Sequence, residues 1–175
     1  MKRKVVILII LWICFILQTT VFKMLQFSNS APNLLLILTV SVGFMQGRKE
    51  GLLTGFISGL MIDLFYGNLF GFYALIYMLS GYLSGHFCDV YYDEDIKVPL
   101  VLVAITDFGY NFVIYVTRFL LRGRRNFPGY LTKIILPDIV FTVLIAIIFY
   151  RILYKINHAM VAREKEGTKS LWIKG

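Results

Sequence analysis

Residues 51–67 read Gly51-Leu52-Leu53-Thr54-Gly55-Phe56-Ile57-Ser58-Gly59-Leu60-Met61-Ile62-Asp63-Leu64-Phe65-Tyr66-Gly67. The stretch is apolar but for Asp63 and two small hydroxyls, and Gly51, Gly55, Gly59, Asp63 and Gly67 follow one another at intervals of four. Residues four apart lie on one side of a helix, so this run is a helix carrying a slanted groove of bare backbone. Lipid gives helices no hydrophobic reason to associate; small residues let two backbones approach until dispersion contacts supply the attraction. Gly81 and Gly85 repeat the spacing further along. Gly51, Gly55, Gly59, Asp63, Gly81 and Gly85 are therefore helix-packing or partner-binding positions. Spacing does not decide whether the neighbour is this chain or another.

The run is short for a membrane span, which needs about 20 residues. Working outward, apolar runs cover about 5–22, 31–46, 51–66, 70–87, 98–121 and 132–154, and 156–175 is a polar tail. Pro32 suits the first turn of the second helix. Of 175 residues 58% are hydrophobic and 16% charged, with a mean hydropathy of +0.74. Soluble domains are roughly a quarter charged, and a small globule has too much surface to hide this apolar excess. The expected fold is an all-α integral membrane protein, one transmembrane domain over 1–155 built as a bundle of six transmembrane helices. Met1-Lys2-Arg3-Lys4 before an apolar run also fits a signal peptide. Gln18 to Lys23 follow in place of a small-x-small cleavage site, which favours an uncleaved first helix.

Charge sets the orientation. Six spans with N and C termini cytoplasmic place 12 of the 18 Lys and Arg residues inside, against 6 outside; five spans give 10 against 8. The positive-inside rule prefers six, although the basic loop between Arg118 and Lys133 then lies outside. The net charge of +8 is spread over termini and loops with no domain-sized patch for nucleic acid. The loops Tyr91-Tyr92-Asp93-Glu94-Asp95 and Arg122 to Gly129, like Trp172 in the tail, are places for lipid headgroups or a partner.

Three carboxylates, Asp63, Asp107 and Asp138, fall inside apolar runs. A charge at membrane depth costs roughly 2.5–3.5 kcal/mol on insertion scales and normally faces the bundle interior with a partner. Asp107, Asn111 and Arg118 fall within about 40° on a helical wheel, so the fifth helix has a polar stripe toward its outer end. Asp63, Asp107, Asn111, Arg118 and Asp138 form a candidate intramembrane polar network. It reads either as interhelical glue or as a site for a proton, ion or small solute.

No catalytic or metal constellation emerges. His86 and His158 belong to no metal-ligand spacing, and no phosphate-cradling GxxxxGK[ST] loop is present. Ser58, Ser80 and Ser84 lack a neighbouring base. Cys14 and Cys88 suggest buried thiols, not a disulfide framework. No cofactor is expected.

An ordered set of pieces carries a resemblance. Gln18-Thr19-Thr20 with Phe22 closes the first helix and Pro32-Asn33-Leu34-Leu35-Leu36 opens the second. Then come Gly47-Arg48-Lys49-Glu50-Gly51, Gly55-Phe56, Gly59-Leu60, Asp63-Leu64, Gly67, Gly71 and Tyr73-Ala74-Leu75. The chain resembles the MreD family of bacterial rod-shape-determining membrane proteins, densely over about residues 15–85. Asp107, Asn111 and the basic loop match no motif of that family.

The resemblance implies a non-catalytic component of the lateral wall-elongation machinery in the bacterial inner membrane. It would work with an MreC-like single-span protein, and through it with an MreB-like filament, a RodA-like glycan polymerase and a class B penicillin-binding transpeptidase. The family is also similar to the substrate-binding membrane subunits of energy-coupling vitamin transporters. That likeness implies an alternative, a small-solute-binding subunit using Asp63, Asp107, Asn111 and Asp138.

Overall fold

The computed structural model describes residues 2–21, 32–67, 70–89, 96–117 and 127–172. All regular structure among them is helical: α1 (Lys2–Ile16), α2 (Leu34–Gln46), α3 (Arg48–Tyr66), α4 (Phe72–His86), α5 (Lys97–Tyr115) and α6 (Leu136–Trp172). The π-helical segment Leu17–Val21 continues α1. A four-residue α-helical segment, Phe127–Tyr130, and a second π segment, Leu131–Ile135, lead into α6.

α2 is the axis of the bundle. Its residues from Leu34 to Phe44 are all buried, and it packs against each of the other five helices. The sequence explains this placement, because a helix apolar on every side belongs in an interior. At 13 residues it rises about 20 Å, less than the roughly 30 Å hydrocarbon core. Three other segments are long and apolar enough to cross a bilayer, Arg3–Thr20, Lys97–Tyr115 and Leu131–Val161.

Contacts fix the helix directions. Lys4 meets Glu50 and Phe15 meets Phe65, so α1 and α3 run the same way. Asn33 meets Thr142 and Gln46 shares Asn157, so α2 and α6 are parallel, and Asn33 with Tyr77 aligns α4 with them. Asn111 with Asp138 and Tyr115 with Tyr130 set α5 against α6. Thus α1, α3 and α5 point one way and α2, α4 and α6 the other. Arg3 donates to Asn157 at 2.9 Å, so α1 starts beside the late part of α6.

The helix limits depart from the sequence reading in three places. Gly47 alone links α2 to α3, at φ +90°. That left-handed turn is open to glycine without strain, so Arg48-Lys49-Glu50 form the first turn of α3 instead of a loop, with Glu50 favourably placed at the helix N-terminus. Pro32 stands before the helix, not in its first turn, because Asn33 is the N-cap of α2. The backbone of α6 stays helical through Trp172, past the polar boundary expected near residue 155.

Candidate functional site

The glycine row of α3 lies against α4. A Cβ built on Gly51 would strike the carbonyl oxygen of Gly81, on Gly55 that of Tyr77, and on Gly59 the backbone of Tyr73 and Ala74. From the other side, Gly85 would bring a Cβ to 2.5 Å from the Cα of Arg48. Gly43 of α2 joins the same contact, 2.6 Å from the Gly81 oxygen by the same construction. Every obstacle is main chain, which does not rotate away. The two backbones touch along the whole hairpin, and the groove has no space left for a third helix.

Asp63 serves the same hairpin. It is buried, and its carboxylate accepts hydrogen bonds from the backbone N–H groups of Gly71 at 3.0 Å, Tyr73 at 3.0 Å and Ala74 at 2.9 Å. These are donors at the start of α4, which have no partner within their own helix, and a carboxyl oxygen there interacts favourably with the helix dipole. Gly71, at φ +94°, turns the chain into that cap. Both oxygens of Asp63 are thus engaged by α4.

Asn33 joins three helices. Its side-chain oxygen accepts from Leu36 N at 3.3 Å, capping α2, and from the fully buried Tyr77 hydroxyl at 2.6 Å. Its own N–H donates to Thr142 of α6 at 3.4 Å. Gln18, in the π segment after α1, accepts from Leu35 N at 3.0 Å. Among the pieces that carried the family resemblance, Gln18, Asn33 and Asp63 thus all satisfy orphan N–H groups at helix starts. Asn33 beyond its place in the resemblance, Tyr77 and Thr142 were not singled out beforehand. Asparagine directly before an apolar run is an N-cap signal that would have found the first; nothing in the sequence points to Thr142.

The second polar group lies between α5 and α6. Asn111 donates its amide N–H to the Asp107 carbonyl at 3.1 Å and to the Asp138 carboxylate at 2.9 Å. Asp107 is 0% exposed, and its carboxylate lies beside the Thr142 hydroxyl and Asp138. The side chain of Arg118 and the loop 118–126 lie outside those residues, as do the side chains of Asp89 to Asp95.

The remaining candidates are tied up locally. Ser58 accepts from Thr39, Ser80 donates to Ile76 O and Ser84 to Ser80 O. His158 packs on Tyr154 and His86 on Phe87. Cys14 is buried. Among the described residues no three His, Cys, Asp or Glu side chains gather as metal ligands would.

A family model described as rod shape-determining protein MreD matches residues 1–160 of the chain. No curated protein and no solved structure matches it.

Proposed function

Because the chain belongs to the MreD family, whose role is rod-shape determination, we propose that it is a non-catalytic, multi-pass scaffold of the wall-elongation machinery in the bacterial inner membrane. It binds the membrane helix of an MreC-like single-span protein. Through that partner it serves an MreB-like filament, a RodA-like polymerase and a class B penicillin-binding transpeptidase.

The observation that carries this reading is how the polar side chains are used. Asp63, Asn33 and Gln18 satisfy backbone N–H groups at helix starts, and the glycines bring backbones together. Such a molecule offers a fixed shape. Six passes with both termini cytoplasmic accord with the alternating helix directions, with the Arg3–Asn157 contact and with the excess of basic residues on that side. A solute-binding subunit would have to do without Asp63, whose oxygens are committed to α4.

Depletion with complementation tests the proposal. Rod-shaped cells deprived of the chain become round, and the wild-type gene restores rods. Cells that keep their rod shape on depletion while losing uptake of a vitamin-like solute would refute it.

A further inference from the structure

We propose that Asp107 and Asp138 form a proton-binding site between α5 and α6, in which Asp107 keeps its proton at neutral pH and donates it to the Asp138 carboxylate. Both acids lie within segments long and apolar enough to cross a bilayer, Lys97–Tyr115 and Leu131–Val161. Asp107 is fully covered, Asp138 is partly covered, and the two lie beside each other. Two carboxylates that share a dry site cannot both ionise; one retains a proton and the other accepts it. Neither acid forms an ion pair among the described residues.

The surrounding donors decide which acid keeps the proton. Asp138 accepts the Asn111 amide N–H at 2.9 Å. A donor of that kind favours the charged form of the acid that receives it, and Asp138 is also the less covered of the two. Thr142 accepts the Asn33 N–H at 3.4 Å, which leaves its own O–H to donate to Asp107. No second donor among the described residues serves Asp107. A proton on Asp107 removes one of the two charges and lets the acids bond to each other, which ties α5 to α6. The other titratable groups around the pair bring no positive charge into it. Tyr77 of α4 gives its hydroxyl to Asn33, and the Tyr110 ring of α5 packs on that of Tyr77 at 5.7 Å. α2 has no titratable side chain from Leu34 to Phe44, and Lys133, ahead of Asp138, is exposed.

Infrared spectroscopy of the full chain, purified in a detergent without ester groups, tests the site. At neutral pH the wild type should show the C=O stretch of a protonated side-chain carboxyl, and carbon-13 labelling of aspartate should move it. Asp107→Asn should abolish the band. Asp138→Asn and Thr142→Val should keep it at a shifted frequency, because each removes a hydrogen-bond partner of Asp107. The folded chain then binds one more proton than the unfolded chain, in which aspartate titrates at about pH 4. Relative to Asp107→Asn, the wild-type Tm should therefore fall as the pH rises from about 5 to about 9. Should Asp107→Asn fail to fold, the shift in Thr142→Val decides in its place, and an unmoved band there overturns the proposal. So does a wild type without the band, the result expected if an arginine neutralised two ionised acids. A band that survives Asp107→Asn, or is left unmoved by Asp138→Asn, overturns it equally.

Discussion

Adding one methyl group to Gly59 and one to Gly109 should change stability in opposite directions. A Cβ on Gly59 would sit 2.5 Å from the Tyr73 carbonyl oxygen, where ordinary contact begins at 3.4 Å, so α3 and α4 must part by about 0.9 Å. Gly109 on α5 has nothing within 4 Å of such an atom. Alanine is better than glycine in a helix interior by about 1 kcal/mol, and both sites share that gain. Overpacking of a well-filled contact costs typically 1–3 kcal/mol. The obstacle at Gly59 is backbone on a second helix, so the upper end applies. Gly59→Ala should then lose about 2 kcal/mol net, and Gly109→Ala should gain up to about 1 kcal/mol. For a chain of this size the first corresponds to a fall in Tm of roughly 4–8 °C. Thermal unfolding of the purified variants, followed by intrinsic fluorescence, reads both. If Gly59→Ala melts at or above the wild type, the close approach of α3 and α4 is not what holds the hairpin.

Removing the cap at Asp63 should be more severe: hydrogen bonds to a charged acceptor contribute about 1.5–3 kcal/mol each, so Asp63→Ala should cost about 3 kcal/mol or more by the same melting assay. Asp63→Asn keeps one acceptor oxygen and should cost less; equal losses would argue against the three-donor arrangement. Tyr77→Phe deletes one buried hydrogen bond and should cost about 1 kcal/mol. Asn33→Ala should cost about 2 kcal/mol through the lost α2 cap and the orphaned hydroxyl. The double variant should fall short of the sum by about 1 kcal/mol, and strict additivity would mean the two side chains do not meet. Lys4–Glu50, at 3.3 Å and largely solvated on the lysine side, should matter little. Glu50→Gln is expected to change stability by less than about 1 kcal/mol, and a larger loss on denaturation would show that end of the bundle to be more tightly organised.

The sequence was most legible where side chains act along their own helix. The interval of four suggested a packing face, and Gly51, Gly55 and Gly59 lie against α4. The apolar runs located all six helices. Where the sequence ran out, the missing information lay across turns. Asp63 looked like one of three membrane-depth acids because burial in an apolar run is what a sequence displays. Its partners, Gly71, Tyr73 and Ala74, reach it only because the chain reverses after Gly67. The central place of α2 was readable in principle, since Leu34 to Val40 offers almost no polar side. The limits of α3 were missed because Arg48-Lys49-Glu50 reads as a loop, and only the positive φ of Gly47 shows that one residue completes the turn.

The claim on which the rest depends is that this bundle acts by holding a membrane partner and not by processing a molecule. Affinity purification of the tagged chain from its native membranes, with mass spectrometry of whatever accompanies it, addresses that claim most directly. The account predicts a single-span protein with a periplasmic coiled coil in stoichiometric amount. It also predicts that this protein is lost when Gly59→Leu pries α3 from α4, but kept in Glu50→Gln. A preparation that carries a tightly held small metabolite and no such partner would contradict it.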